Sequence, residues 1–489
     1  MEHQQEQSSG DSHAVVVDIQ SLAQALEQEL AGRRRLLHGG SQAPTLTIGM
    51  VPKLTRNVDE HEYNPHYVSI GPYHRHRDNI GREEDKLACL NTILSAVSPR
   101  TTVQAYLTEL DGMEGDARSF YADIFDKITR WEFLRMLLLD GCYLLNRFVS
   151  VVPENGSHVA NGHVQGGYHA SSSTAPAAAQ QLSATAQLEA VSVLRDVLYL
   201  AENQIPYFVI DKIHKLTFPG SSGVPAVNAI AGYISSILQR HQYSMATVTD
   251  ATRPPAPGNL LHLLHMHFPK PRSVPTTTTN SSATGKRVDR CRTATEYYIN
   301  GVSFRSRRIT AGAEEDEAHC ILDVTFDRGT GTLSLPRLNI DAETWRILRN
   351  LIALEQQNPD VAGSHVTAYC VFMSQLACTA ADVELLSRRG VISHILGNNE
   401  QVAELFSDLC KGVVFDADDA GRNYLRGTTQ ELDRCYGSRL RRWMALLSQK
   451  YFASPWLAIG VMAAAIVLVC TMVQALYAVL SYYSPGAAK

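Results

Sequence analysis

The sequence lacks the short motifs that mark several common enzyme classes. It contains no GxSxG nucleophile elbow, no GxxxxGK(S/T) phosphate loop, no HExxH zinc helix and no GxGxxG dinucleotide turn. These absences remove support for α/β-hydrolases, P-loop nucleotide hydrolases, zincin peptidases and dinucleotide-dependent oxidoreductases. From the residues alone we expect a protein that is not an enzyme and uses no cofactor.

Cysteine pairs, basic stripes and a secretory leader are also missing. The nine cysteines are scattered and form no CxxC pair, so we expect reduced, mostly buried thiols and no zinc knuckle. The 44 basic and 49 acidic residues give a net charge of −5 without a long basic run, which argues against a nucleic-acid partner. The N-terminus has neither the positive nor the apolar region of a signal peptide.

The most distinctive segment that is present lies near the C-terminus. From Trp456 to Leu480 there is no charged residue, and Gln474 is the one strongly polar interruption. At about 1.5 Å per residue this segment is longer than the roughly 30 Å hydrocarbon core of a bilayer, and aromatic residues such as Tyr477 suit its interfaces. We predict a transmembrane anchor over 451–483; the alternative is a buried core helix.

Charge around this segment predicts its orientation. Only Lys489 lies in the short tail 484–489, whereas several basic residues precede the anchor: Arg439, Arg441, Arg442 and Lys450. The positive-inside rule therefore predicts that the globular domain faces the cytosol. The membrane itself is expected to be the plasma membrane or an endomembrane. The sequons at Asn155 and Asn280 would be glycosylated only if the domain faced outward, so they oppose this orientation. The amide of Gln474 can hydrogen-bond across helices, which would allow a homo-oligomer.

The rest of the chain divides into an extension and one large domain. The extension, 1–45, includes an amphipathic stretch that is either a packed helix with a solvated basic end or a membrane-surface helix. The domain, 46–450, is interrupted by low-complexity insertions near 153–182 and 252–287, which we expect to be flexible. Helical spacing of apolar residues dominates elsewhere.

A strand pattern appears near 320–337, where two apolar runs flank the glycine turn Gly-Thr-Gly-Thr. We therefore predict a mainly α fold: a helical globular domain with a small β element and one C-terminal transmembrane helix.

Two buried-looking carboxylates are the candidate site residues. Glu202, followed by Asn203 and Gln204, and Glu355 both lie in apolar sequence. They could act as an acid–base pair, or they could belong to a structural polar network, because buried polar groups need hydrogen-bond partners. We favour the structural interpretation.

Histidines provide a second candidate. His262 and His265 lie three residues apart on a predicted helix, with His267 close behind, and two imidazoles could ligate a metal if a third ligand came from elsewhere. The simpler interpretation is packed or solvated histidines, and we predict no metal. Metal binding by His61 and His66 is disfavoured because Pro65 disrupts the helix between them.

Several longer motifs together resemble a plant family catalogued as domain of unknown function 247, or uncharacterised protein family 0481. In chain order they are YNPHYVSIGPYH at 63–74, MLLLDGC at 136–142, LAENQIPYF at 200–208, LDVTF at 322–326, RNLIALEQ at 349–356 and YFASPW at 451–456. Ala201 departs from the family pattern, which usually has leucine there, but leaves the polar trio intact. The resemblance implies a plant protein with a helical domain and a membrane anchor, and supplies no catalytic residues.

The same resemblance suggests a kind of function. Certain grass members look like pollen-side self-incompatibility determinants that recognise small secreted proteins, and this chain could be a grass member. We therefore expect a membrane-anchored recognition or signalling protein that binds a protein or peptide partner. The alternative is a hydrolase of unknown class that uses Glu202 and Glu355.

Overall fold

The computed structural model describes nine stretches of the chain: 46–77, 80–96, 102–149, 191–219, 225–248, 256–271, 292–312, 317–436 and 455–483. The predicted extension 1–45, the insertion near 153–182, most of the insertion near 252–287 and the tail 484–489 lie outside the described residues. So do both sequons, Asn155 and Asn280.

The described domain is mainly α-helical, as the spacing of apolar residues predicts. Its helices are α1 Lys53–Arg56, α2 Glu83–Ala96, α3 Val103–Asp111, α4 Glu114–Ser119, α5 Arg130–Phe148, α6 Tyr207–Thr217, α7 Ala226–Arg240, α8 Leu260–His265, α9 Ala294–Ile299, α10 Thr344–Gln357, α11 His365–Leu376, α12 Ala380–Arg388, α13 Asn399–Leu409 and α14 Arg426–Tyr436. A 3-10 turn covers Glu60–Glu62, and residues 191–198 are also helical.

Two small sheets accompany the helices. The strands are β1 Ser303–Arg307, β2 Thr325–Asp327, β3 Thr332–Pro336, β4 Leu338–Ile340 and β5 Ile392–His394. Antiparallel β2 and β3 form the predicted hairpin, and Gly331 takes a positive φ of 71° in its turn. Strand β1 pairs with β3 in parallel, and β4 pairs with β5 in parallel.

Helix α5 is the centre of the first helical group. Thr129 and Glu132 form a capping box at its start, which satisfies backbone N–H groups that have no partner inside the helix. Its apolar residues are buried against α2, α3 and α6. A Cβ at Gly141 would collide with the side chain of Ile213, so this glycine lets α5 and α6 approach closely.

A second group is built around α10. This helix is buried from Thr344 to Glu355 and packs against α8, α11 and α13. The cysteines at 89, 142, 320, 370 and 435 are buried in the two groups and the elements between them, in line with the prediction for most cysteines.

The C-terminal helix, α15, spans Pro455–Tyr483. Within it, Met462–Leu480 is long and apolar enough to cross a membrane, and every one of these side chains is exposed. Helices α11 and α12 meet the same test only when taken together, and they are bent by 105°. The exposure of α15 does not fit the alternative of a buried core helix.

Candidate functional site

Glu202 lies at the first of two buried carboxylate clusters. Its side chain is fully buried in the segment between the helical residues 191–198 and α6. Oε1 accepts a hydrogen bond from the backbone N–H of Val51 at 2.6 Å and one from the guanidinium of Arg56. Oε2 lies 3.0 Å from Nε2 of His74. Burial raises the pKa of Glu202, but the hydrogen bonds from His74 and Arg56 outweigh it and hold the pKa below its usual value.

The two amides that follow Glu202 are bonded in the same manner. Asn203 Oδ1 accepts from the N–H of Ile70 at 2.7 Å, and its Nδ2 donates to the carbonyl of Val68 at 2.9 Å. Gln204 Nε2 donates to the carbonyl of Leu200 at 3.0 Å, while its Oε1 accepts from the N–H of Leu260 at the start of α8 at 3.1 Å. The polar trio therefore joins three separate stretches of chain.

Two further buried carboxylates, which the sequence reasoning missed, bind the same loop. Asp196 accepts from the backbone N–H groups of Tyr67 and Val68 at 2.5 and 2.9 Å. Asp140 accepts from the N–H of Gly71 at 2.8 Å and pairs with Lys86 at 2.6 Å. Asp140 is a lone charge in the apolar run 136–142, and that pattern was the available signal; Asp196 directly follows Arg195, so it gave a weaker one. Together with Asn203 they hold residues 66–71, which lie within the first family-like motif.

Glu355 is the centre of the second cluster. Its Oε2 accepts from the backbone N–H and the hydroxyl of Thr367 at 2.7 and 2.6 Å. Its Oε1 accepts from the N–H of Val366 at 3.0 Å and lies 2.9 Å from Nε2 of His265 and 3.7 Å from Nδ1 of His365. Burial acts to raise the pKa of Glu355, but its interaction with His265, supported by His365 and the hydroxyl of Thr367, outweighs burial and holds the pKa below its usual value.

The two glutamates bind different partners. Glu202 is bonded to groups from the 51–74 region, whereas Glu355 is bonded to groups from α8 and α11. An acid–base pair needs both carboxylates at one reacting centre, with an oxygen of each available to substrate. The observed bonds support the structural interpretation, in which each carboxylate closes a set of buried donors.

The rings of His262, His265 and His267 point in different directions and contact different groups. His265 is the one of the three that reaches a carboxylate, within the part of the chain that the structure describes. Nδ1 of His262 accepts from the N–H of Gly258 at 3.1 Å, and Nδ1 of His267 lies 2.9 Å from the carbonyl of Leu263. The third ligand that the sequence left unassigned is present, because Glu355 and His365 meet His265.

A group of exposed apolar side chains lies where the start of the domain meets the loop after α13. Leu54 is 71% exposed and Val414 85%, with Met50 nearby in sequence at 48%. Thr55 Oγ1 donates to the carbonyl of Gly412 at 3.4 Å, which places α1 next to the loop after α13. We call Met50, Leu54 and Val414 the apolar patch.

Comparison with known proteins agrees with the motifs. Residues 48–470 match the family model for domain of unknown function 247, described as a plant protein of unknown function. The UPF0481 protein At3g47200 of Arabidopsis thaliana is 26% identical over 483 residues, covering 92% of this chain and 91% of that protein. The putative UPF0481 protein At3g02645 of Arabidopsis thaliana is 29% identical over 155 residues, covering 32% of this chain and 28% of that protein. No solved structure matches.

Proposed function

The chain belongs to the plant family of domain of unknown function 247, and we propose that it is a membrane-tethered, non-enzymatic recognition or signalling component that binds a protein partner. The observation that carries the proposal is α15, an apolar helix whose side chains from Met462 to Leu480 are all exposed.

The dimensions of α15 support a membrane location. The 19 residues Met462–Leu480 form a helix of about 28 Å, close to the roughly 30 Å hydrocarbon core. Transfer of apolar surface from water into lipid is favourable by about 25 cal/mol per Å², so a helix exposed along its whole length has a strong preference for the bilayer. With the basic residues before the anchor, this favours a domain on the cytosolic face.

The hydrogen bonds of the buried carboxylates favour a binding function over a catalytic one. Glu202 and Glu355 accept hydrogen bonds from backbone N–H groups and lie against cationic or histidine side chains. These contacts suit residues that connect separate segments of the fold. The apolar patch supports a protein partner, because exposed apolar groups on neighbouring segments are typical of interaction surfaces. Self-incompatibility-type recognition is the form of this function that the family resemblance suggests.

The first experiment determines the orientation. Tagged full-length protein is expressed in plant microsomes, and we measure alkaline extraction, protease protection and glycosylation, with the double substitution Asn155→Gln and Asn280→Gln as the glycan control. We expect a carbonate-resistant, protease-accessible and unglycosylated domain. A glycosylated, protected domain would instead place recognition outside the cytosol, and a carbonate-extractable protein would overturn the tether.

A second experiment addresses the partner surface. Once a partner is identified by proximity labelling, Leu54→Asp and Val414→Asp should weaken its binding at least tenfold, while Ile395→Asp, at an 80% exposed position outside the apolar patch, should not. Equal effects of all three substitutions would reject the patch as the surface.

The anchor itself can contribute to assembly. If the exposed Gln474 hydrogen-bonds across helices in the bilayer, Gln474→Leu should reduce self-association in a membrane two-hybrid or cross-linking assay. Unchanged self-association would exclude this residue as its cause.

A further inference from the structure

Three ligand-type side chains meet in the second carboxylate cluster. Nε2 of His265, Oε1 of Glu355 and Nδ1 of His365 all lie within 4.8 Å of one another. They come from α8, the C-terminal turn of α10 and the first residue of α11. His265 and Glu355 are buried, and His365 is 11% exposed. The position thus joins three helices inside the second helical group.

The hydrogen bond on the far side of His365 determines which of its nitrogens faces the carboxylate as an acceptor. Nε2 lies 2.7 Å from the carbonyl oxygen of Phe268, and because a carbonyl can only accept, Nε2 carries the hydrogen. In a neutral imidazole only one of the two ring nitrogens carries a hydrogen. Nδ1 is then an unprotonated acceptor.

The unprotonated Nδ1 of His365 faces a second hydrogen-bond acceptor, the carboxylate of Glu355. Nδ1 of His365 lies 3.7 Å from Oε1 of Glu355, and both atoms present lone pairs. Such an arrangement is unfavourable unless positive charge lies between the two atoms. A bound cation would supply that charge without protonating the ring.

The separations suit a small transition-metal ion. Ligand bonds of about 2.0–2.2 Å in tetrahedral geometry place neighbouring ligand atoms about 3.4 Å apart. Here the carboxylate oxygen lies 2.9 Å from the His265 nitrogen and 3.7 Å from the His365 nitrogen. The two histidine nitrogens lie within 4.8 Å of each other, so side-chain movements of about 1 Å would place all three atoms around one ion.

The surrounding contacts are those that support metal ligands. Metal-binding histidines usually donate their other ring N–H to a carbonyl or carboxylate, as His365 does to Phe268. The second oxygen of Glu355 is fixed by the N–H and hydroxyl of Thr367. Two imidazoles and one carboxylate form a ligand set that zinc sites use.

We propose that His265, Glu355 and His365 bind one divalent transition-metal ion of the Zn²⁺ class, which fastens α8 to α10 and α11. Binding requires Nε2 of His265 to be unprotonated, so a hydrogen on Nε2 moves to Nδ1 in a neutral ring and to solvent from a protonated one. The burial of the cluster makes the ion structural, and the remaining coordination position is available to a water molecule.

The test uses the full-length protein in detergent micelles. The protein is stripped with a chelator, dialysed against Zn²⁺ alone and gel-filtered, and its metal content is measured by mass spectrometry. Co²⁺ in place of Zn²⁺ gives a visible absorption band that reports ligand geometry. We expect one ion per chain and a higher melting temperature with Zn²⁺ than without it.

Variants assign the ion to the cluster. His365→Ala and His265→Ala should lower Zn²⁺ affinity at least about 100-fold and abolish the melting-temperature shift. His365→Cys, which keeps a donor atom, should retain the ion and shift the Co²⁺ absorption band. The matched control is His262→Ala, since His262 is on the same helix and its Nδ1 is bonded to a backbone N–H.

Three outcomes would overturn the proposal. The wild-type chain could retain no more Zn²⁺ than a buffer blank, His262→Ala could reduce binding as much as His365→Ala, or His365→Cys could fold normally and leave the Co²⁺ spectrum unchanged. Any of them would make the cluster a hydrogen-bonded cap on the N-terminus of α11. Because none depends on a membrane or a partner, failure here would leave the proposed function untouched.

Discussion

Replacing Glu202 is the sharpest test of whether this carboxylate is structural or catalytic. Its two oxygens receive the backbone N–H of Val51, the guanidinium of Arg56 and a contact from His74. Glu202→Gln keeps the shape but removes the charge and turns an NH₂ group towards donors. Breaking one side of a buried charged pair costs about 3–5 kcal/mol, because the remaining charge stays buried without a partner.

That free energy translates into a measurable melting temperature. For a domain of roughly 400 residues, 46–450, each kcal/mol corresponds to about 1.2 °C, so Glu202→Gln should lower the melting temperature by roughly 4–6 °C. The matched control is Glu384→Gln, which breaks an exposed pair with Arg388 and should cost less than about 1 kcal/mol. Thermal unfolding of both variants in detergent micelles, followed by intrinsic fluorescence, gives the comparison.

The opposite result would support the hydrolase alternative. Catalytic residues are often held at the expense of stability, so replacing one commonly leaves a fold equally or more stable. If Glu202→Gln unfolds at or above the wild-type temperature, the structural interpretation of this cluster is wrong. The same comparison for Glu355→Gln extends the test to the other carboxylate of that alternative.

Three other predictions address the anchor, a glycine and the pH response. Each arginine near the centre of α15 raises the free energy of membrane insertion by about 3 kcal/mol, so the double variant Leu468→Arg, Met472→Arg should become extractable from membranes at alkaline pH. The apolar control Leu468→Ile, Met472→Leu should stay in the membrane. Gly71→Ala should destabilise the domain by more than about 2 kcal/mol in urea unfolding, because φ is 74° there and a Cβ would collide with a backbone oxygen; an unchanged midpoint would refute this. Although burial acts to raise it, the pKa of Asp341 is lowered to about 2, mainly by its 2.8 Å bond to His241, so its stabilisation is complete above about pH 4 and is lost as pH falls towards 2. In Asp341→Asn the urea midpoint should therefore change less between pH 6 and pH 3 than in the wild type, and equal changes would contradict this.

The helical class and the anchor could be predicted from local pattern alone. A helix repeats its apolar positions every three to four residues, and a span needs a long uncharged run, so both are visible within one window of sequence. The β2–β3 hairpin was also predicted, because its glycine turn lies between its two strands. Strands β1, β4 and β5 were not, because each has at most five residues and pairs with a strand far away in the chain.

The partners of the candidate residues were decided only by tertiary packing. The sequence marked Glu202 and Glu355 as unusual because burying a carboxylate in apolar surroundings is unfavourable without donors. It could not show that Val51 and Arg56, about 150 residues earlier, supply the donors to Glu202. Nor could it choose among three neighbouring histidines, because the phase of α8 against α10 turns His265 towards Glu355 and directs the other two rings elsewhere. Local chemistry determined which groups needed partners, and the packing of distant segments determined which partners they found.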